Sequence, residues 1–249
     1  MSMRIAIISD IHGNLTALEA VMADLRRQKP DIVFHGGDLA TAGCNPAEVI
    51  DCIADAGWAG VMGNTDEMLW DDSGLKAMEA SSPKLKPLLA TLEQFANTTR
   101  KAIGDQRIDW LRRLPAELRH ENMALLHAGP GNLWRAPMET AGDQAFIDTY
   151  SGLDAGTVVY CHIHRPFIRK IGEMTICNCG SVGSPYDGDP RASYLMMEDG
   201  TPAIRRVQYD MEKEVGRLLA SDHPHKEWIA QLRRSGSYVP LPEKKDDQG

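Results

Sequence analysis

Apolar residues follow two alternating periods along the first quarter of the chain, and this alternation predicts a β-α-β-α-β order. Residues 5–8 form a short apolar run with β-branched side chains, which is typical of a strand buried on both faces. Residues 15–28 then carry apolar positions at helical spacing, and residues 31–35, which are apolar at 32–34, form a second predicted strand. A helix over residues 46–56 and a strand over residues 58–62 follow. This order predicts right-handed crossovers and a mostly parallel sheet.

The pattern changes twice after the third predicted strand. Residues 67–114 are helical and more polar, and we interpret them as a covering segment that has no catalytic residue of its own but could line a cleft. After Pro115 the apolar runs become short, with glycine turns between them, which indicates antiparallel pairing in a second sheet. The strands predicted in this part are residues 116–119, 122–127, 157–160, 167–171, 174–177, 193–197 and 202–207, and two helices are predicted at 211–219 and 226–234.

Composition and charge limit the classes of partner. The 249-residue chain is 43% hydrophobic and 25% charged, as in an ordinary globular protein with a substantial core. A net charge of -8 argues against non-specific binding to the nucleic-acid backbone, so we expect no long nucleic acid as a partner. The apolar start is too short to span a bilayer and does not read as a signal peptide, and five cysteines are typical of reduced thiols. We therefore expect a cytoplasmic protein without a membrane partner, and leave a homo-oligomer open.

Side chains of metal-binding type follow several predicted strands. Asp10 and His12 come directly after the first strand, where a cation would offset the cost of burying a carboxylate. Similar residues at later strand ends are Asp38, Asn64, His127, His162 and His164. Singly, each has a simpler explanation as a cap, a turn former or a core histidine, and His35 is interpreted as structural. Because open α/β sheets bind ligands at one edge, the joint pattern predicts a shared site.

The order of these motifs resembles that of the calcineurin-like metallophosphoesterases. The resemblance covers roughly the first 200 residues and rests on segments 9–14 (SDIHGN), 36–39 (GGDL), 63–66 (GNTD), 127–129 (HAG) and 162–164 (HIH). Segments 180–183 (GSVG) and 187–194 (DGDPRASY) look like the small bacterial and archaeal phosphodiesterase branch. The resemblance implies an α/β fold in which two mixed sheets form a β-sandwich flanked by helices, in αββα order.

The same resemblance gives a division of the chain. We assign residues 1–209 to a metallophosphoesterase domain that contains the covering segment 67–114. Residues 210–235 would be a C-terminal helical appendage, and residues 236–249 a flexible tail.

The resemblance also implies a centre of two metal ions. Its pattern assigns one ion to Asp10, His12, Asp38 and His164, and the other to Asp38, Asn64, His127 and His162. Asp38 would bridge the two ions. Mixed oxygen and imidazole ligands suit Mn²⁺, Fe or Zn²⁺, with Ni²⁺ as a further candidate. Only two carboxylates face two divalent or trivalent ions, so the centre keeps a net positive charge even with a bridging hydroxide and can attract a phosphodiester anion.

The activity implied is hydrolysis of a phosphodiester, or of a phosphoanhydride in a dinucleotide-like compound. A metal-bridging hydroxide would attack phosphorus in line with the departing oxygen. The partner would thus be a small phosphodiester or nucleotide-like substrate, and Asp38, Asn64, His127 and Asp66 are the candidate catalytic residues. The alternatives are a phosphomonoesterase, including a phosphoprotein phosphatase, and a non-catalytic metal-binding scaffold. The scaffold would be expected to have lost ligands, whereas all seven positions are filled here.

Candidate substrate contacts are Asn14, Thr65 and Arg191. Many family members have histidine at the position of Thr65, where it protonates or stabilises the leaving group. Thr65 cannot be a general acid near neutral pH, which favours substrates with good leaving groups or proton delivery through water or substrate. Arg191 could contact phosphate or form a salt bridge, and we favour the salt bridge. Asp66 is either a helix cap or a residue that orients a ligand.

Overall fold

The structure, a computed structural model, describes residues 3–242 and places ten strands in two five-stranded sheets. The first sheet contains, in spatial order, β10 (Thr201–Val207), β9 (Ala192–Glu198), β1 (Arg4–Ile8), β2 (Ile32–His35) and β3 (Ala59–Gly60). The second contains β4 (Glu117–His120), β5 (Met123–Leu126), β6 (Thr157–Tyr160), β8 (Met174–Asn178) and β7 (Phe167–Ile171). The described helices are α1 (Leu15–Gln28), α2 (Pro46–Asp55), α3 (Asn64–Glu67), α4 (Ser73–Ser81), α5 (Lys86–Arg112), α6 (Asp143–Tyr150), α7 (Met211–Ala220) and α8 (Lys226–Ser235), with short 3₁₀ turns at Pro83–Leu85 and Ser151–Leu153.

Both sheets are mixed, as the resemblance implied. In the first sheet β1, β2 and β3 are parallel, while β9 runs antiparallel to both β1 and β10. In the second, β5, β6 and β8 are parallel neighbours, and β4 and β7 pair antiparallel at the two edges. The predicted fold class, an α/β sandwich of two mixed sheets flanked by helices, is therefore confirmed.

Two expectations about the second half of the chain were wrong, and one helix was missed. The centre of the second sheet is parallel, because the long connection from β5 to β6 carries α6, and a crossover of this kind suits parallel strands. The sequence prediction did not include α6, although Phe146 and Tyr150 lie one helical turn apart. Strands β9 and β10 join the first sheet, where β9 is buried on both faces over residues 192–197.

The core lies in layers on either side of each sheet. Along β1, Ile5 and Ile7 pack between the two sheets, whereas Ala6 and Ile8 pack against the helical layer. Helices α1, α2 and α5 cover the first sheet, and α6 covers the second. The order of layers is helix, sheet, sheet, helix. Strands of both sheets therefore end at the edges of one sandwich.

The C-terminal helices α7 and α8 pack on this body through an apolar cluster that includes Phe95 of α5. Trp228 Nε1 on α8 donates to Val239 O, 2.9 Å away, and Tyr238 lies edge-on to Tyr186. The division into domain, appendage and tail stays a prediction, and residues 243–249 of the predicted tail lie outside the described residues. None of the described helices is long and apolar enough to cross a membrane.

Candidate metal centre

The seven predicted metal ligands meet at one edge of the sandwich. Asp10 and His12 follow β1, Asp38 follows β2, and Asn64 begins α3 just after β3. The second sheet contributes His127 after β5 and His162 and His164 after β6. Ligand atoms of Asp10, His12 and His164 lie within 4.8 Å of one another, as do those of Asp10, Asp38 and His127. Each sheet therefore supplies part of one cluster.

Backbone carbonyl groups fix the orientation of three of the imidazoles. The hydrogen bonds run from Nδ1 of His12 to Thr41 O (2.9 Å), of His127 to Gly36 O (2.7 Å) and of His164 to Ser184 O (2.5 Å). A carbonyl oxygen can only accept, so Nδ1 carries the proton in each ring. In the neutral ring, each Nε2 then has a lone pair, which is the form of histidine that binds a metal.

Several acceptor atoms of the cluster face one another without a donor between them. Nε2 of His12 lies 3.2 Å from Nε2 of His164, and Asp10 Oδ1 lies 3.2 Å from the same His164 atom. Asp10 is fully buried, and Oδ1 receives no hydrogen bond from the described residues. Leaving such an atom unpaired is costly, whereas a cation among these lone pairs would satisfy all of them. The donor set therefore fits a metal ion.

A second group of acceptors adjoins the first. Asn64 Oδ1 lies 2.9 Å from both His127 Nε2 and His162 Nδ1. Asp38 lies between the groups, because its Oδ1 is 3.5 Å from His127 Nε2 and its Oδ2 is 3.7 Å from His12 Nε2. One carboxylate thus faces both groups, which is the arrangement a bridging ligand requires.

Burial and neighbouring charge act in opposite directions on the ionisable groups. Burial opposes ionisation of Asp10, but His164 and the other histidines beside it hold its pKa well below the usual range. Burial and the adjacent His127 lower the pKa of His162 to about 4, so this ring is neutral at neutral pH. Burial also disfavours charge on His127 and His164, but nearby carboxylates outweigh it and raise both pKa values. A bound cation would compete with these protons.

The cluster is built on strained backbone. Five of its seven residues have positive φ: Asp10 (53°), His12 (50°), Asp38 (54°), His162 (68°) and His164 (57°). Such conformations cost about 1–3 kcal/mol each for residues other than glycine and tend to occur at functional sites. The surrounding hydrogen bonds must therefore hold these loops in place.

Asp66 supports Asp38 from behind. Its carboxylate accepts hydrogen bonds from the backbone N–H groups of Asp38 (2.8 Å), Leu39 (3.0 Å) and Gly63 (2.9 Å). Both predicted alternatives therefore describe its contacts, since it caps α3 and orients the loop of a candidate ligand. Burial, and then the charge of Asp38, raise its pKa to about 7. It contacts Asp38 and does not line the cavity described below, so a direct catalytic role stays a prediction.

Of the three candidate substrate contacts, the structure places one at the cavity and two away from it. Asn14 caps α1 by accepting a hydrogen bond from Ala17 N at 2.9 Å, and exposed Arg191 forms the favoured salt bridge, with Asp189 at 2.6 Å. Neither residue lines the cavity at the centre. Thr65 does line it, and its buried Oγ1 has no hydrogen-bond partner among the described residues. Only Thr65 is therefore carried forward as a substrate contact.

His35 lies outside the centre, in line with its interpretation as structural. Its ring is fully buried and stacks on Trp110 at a centroid distance of 6.1 Å. Burial lowers its pKa to about 4, which keeps the ring neutral.

A cavity of about 220 Å³ opens directly on the cluster. Its floor contains His12, Asp38, Asn64, His162 and His164, with Thr65 beside them. Its walls come from α5, α8 and the loops around Tyr186 and Tyr238. The sequence indicated that the covering segment could line a cleft, but it gave no signal that α8 would form the opposite wall.

Comparison with known proteins agrees with this architecture. The sequence model of the calcineurin-like phosphoesterase superfamily domain matches residues 3–201. The uncharacterized protein MJ0912 of Methanocaldococcus jannaschii is 28% identical over 251 residues, with 91% of this chain and 96% of that protein covered. A metallophosphoesterase from Sphaerobacter thermophilus superposes with a TM-score of 0.77 at 23% identity, covering 95% of this chain and 100% of the other. The hypothetical protein PH1004 from Pyrococcus horikoshii superposes with a TM-score of 0.80 at 16% identity, with the same coverage.

At these sequence identities the structural similarity shows a shared fold and nothing more. The family match is independent of it and spans the strand ends that bear all seven clustered residues. The recognition made from the order of the motifs is confirmed: the chain belongs to the calcineurin-like phosphoesterase superfamily.

Proposed function

We propose that this protein is a metal-dependent phosphoesterase that hydrolyses phosphodiester bonds at a centre of two metal ions. The observation that carries the proposal is the convergence of unpaired acceptor atoms, above all Asp10 Oδ1 among imidazole Nε2 atoms, at the base of an open cavity. Hydrolysis of a dinucleotide phosphoanhydride is the alternative reaction that the sequence left open.

The residues that would hold the ions are those the sequence predicted. One ion would be held by Asp10, His12, Asp38 and His164, and the other by Asp38, Asn64, His127 and His162. Two bound ions supply positive charge that attracts a phosphate group and lower the pKa of a water molecule. Mn²⁺, Fe, Zn²⁺ and Ni²⁺ all suit these oxygen and nitrogen donors.

The protein's own residues limit which esters react. Water adds to phosphorus, the bond from phosphorus to the leaving oxygen breaks, and that oxygen takes up a proton. Thr65 lines the cavity, and its buried Oγ1, which has no hydrogen-bond partner among the described residues, is the candidate donor to a phosphate oxygen. Its hydroxyl cannot protonate the leaving group at neutral pH. We therefore expect esters of acidic alcohols or phenols to react fastest.

The charges at the cavity favour a diester over a monoester. Among the described residues that line it there is no lysine or arginine to offset the second negative charge of a phosphomonoester. A phosphodiester carries only a single negative charge, so it needs no such residue.

A non-catalytic scaffold is disfavoured because all seven ligand positions are filled. A cytoplasmic location remains part of the proposal, and all five cysteines, which lie in the described part of the chain, are free thiols.

The test is to change the carboxylate that faces both groups of acceptors. Protein purified without chelator is expected to contain two metal ions per chain and to cleave bis(4-nitrophenyl) phosphate faster than 4-nitrophenyl phosphate. Asp38→Asn removes a charge from both sites, so we expect loss of both ions and a fall in kcat of about a hundredfold or more. Asp148→Asn, on the exposed face of α6, is the matched control. Normal turnover with two ions retained in Asp38→Asn would overturn the ligand scheme.

A further inference from the structure

We propose that the apolar walls of the cavity bind an organic group of the substrate, so that the enzyme prefers phosphodiesters with one small aromatic or alkyl group. The inference rests on the proposed function, because the phosphate must sit over the metal centre for its ester group to reach these walls.

The cavity is divided into a polar floor and a hydrocarbon wall. The wall residues come mainly from two helices and are Leu88, Leu92 and Phe95 of α5 and Trp228, Ile229 and Leu232 of α8. Among the described residues that line the cavity, charged and imidazole groups occur only on the floor. A group attached to a phosphate on the floor would therefore extend directly into hydrocarbon.

The one polar side-chain atom among these six helical residues is already engaged. Trp228 Nε1 donates to Val239 O at 2.9 Å, and the Tyr186 ring stacks on the His164 ring at a centroid distance of 4.4 Å. A sugar hydroxyl placed against such a wall would lose its hydrogen bonds to water without replacement, which is costly. An apolar group gains free energy from the same burial.

The volume limits the size of that group. A dry cavity of about 150 Å³ lined by apolar side chains accepts benzene, whereas pockets for drug-sized ligands begin near 300 Å³. The cavity here measures about 220 Å³, part of which the phosphate would fill. One ring or a short alkyl chain fits beside the phosphate, and a nucleoside is too large.

The second ester group of a diester could occupy a separate cavity. An open cavity of about 670 Å³ adjoins the first and shares Leu88, His162, Tyr186 and Tyr238 with it. Because both cavities border His162, a phosphate at the centre could direct one ester group to each. The smaller cavity then selects one group, while the larger and more open one places little restriction on the other.

Phenylphosphonate and methylphosphonate test this directly, because they differ only in the organic group and are not hydrolysed. Calorimetry with the Mn²⁺-loaded protein should show phenylphosphonate binding roughly ten- to a hundredfold tighter, the effect of burying a group of phenylalanine size. Leu88→Asn and Leu92→Asn place an amide in the wall at half-buried positions, and each should reduce this affinity ratio at least threefold.

Leu85→Asn is the matched control, since Leu85 is 39% exposed and lies outside the cavity lining, so its affinity ratio should equal that of the unchanged protein. Using the ratio within each variant corrects for any loss of folded or metal-loaded protein. Equal affinity for the two phosphonates in the unchanged protein would overturn this inference and leave the proposed function standing. If neither phosphonate bound and the protein contained no bound metal, both this inference and the proposed function would be overturned.

Discussion

Residues at the candidate metal centre are held in backbone conformations that their side chains disfavour. Asp10, His12 and Asp38 all have positive φ, and their side chains lie in the cluster. Sequence could predict that these residues belong to one cluster, because their positions after apolar runs are visible in the chain. It could not predict the conformation, since a non-glycine residue is expected at negative φ and only the neighbouring loops enforce the exception.

The close packing around Asp38 gives a sharp prediction at Gly63. A Cβ at this position would lie 2.0 Å from Asp38 Oδ1, so Gly63→Ala must displace the carboxylate or the loop that carries it. We expect metal occupancy to fall and the free energy of unfolding to drop by about 1–3 kcal/mol, the usual cost of overpacking. Elemental analysis and urea unfolding of the variant measure the two effects.

Gly216→Ala is the control for this prediction. A Cβ there meets no atom within 4 Å, and Gly216 lies inside α7, where alanine is the better helix former. This variant should keep its metal and be as stable as the unchanged protein or slightly more so. Full metal occupancy in Gly63→Ala would show that Asp38 tolerates displacement and is not a tightly held ligand.

At the scale of elements, the existence of strands and helices was easier to predict than their pairing. Periodicity located β1, β6 and β7 well, because apolar runs and turn residues are local signals. Strand order depends on which long-range contacts bury the most surface, so neither the parallel pairing of β5, β6 and β8 nor the insertion of β9 beside β1 followed from local pattern. The helical wall formed by α8 was missed for the same reason.

Helices α7 and α8 also contact the candidate metal centre through a buried ion pair. Arg233 on α8 is fully buried, donates to Glu214 on α7, and makes a second hydrogen bond to His12 O at 3.0 Å. Glu214 in turn accepts from Thr16 Oγ1 on α1 at 2.8 Å. Residues beyond the family-matched segment 3–201 therefore support the backbone of a candidate ligand.

This pair predicts a strongly non-additive double mutant. Arg233→Met leaves the Glu214 carboxylate buried without its partner, which should lower the free energy of unfolding by about 3–5 kcal/mol. Adding Glu214→Met removes the stranded charge, so the double variant should be more stable than Arg233→Met alone. Urea unfolding of both single variants and the double variant gives the coupling energy. Additive losses would mean that the two side chains do not stabilise each other.

At the scale of the whole molecule, the centre joins two sheets that are packed face to face. The first sheet contributes Asp10, His12, Asp38 and Asn64, and the second contributes His127, His162 and His164. Each sheet alone supplies an incomplete set of the predicted ligands. The apolar layer between the sheets holds their ends in register, and a metal ion bound by both would link them further.

Metal binding is therefore expected to stabilise the whole fold. A ligand that binds only the folded state adds about 2.7 kcal/mol at a hundred times its Kd, so Mn²⁺ should raise Tm by several degrees and chelator should reverse the shift. His127→Ala removes a ligand of the second sheet and should abolish most of this metal-dependent shift. His120→Ala removes an imidazole from β4, in the same sheet but outside the cluster, and should retain it. If His127→Ala kept the full shift, His127 would not be a ligand, and its place in the two-sheet centre would be refuted.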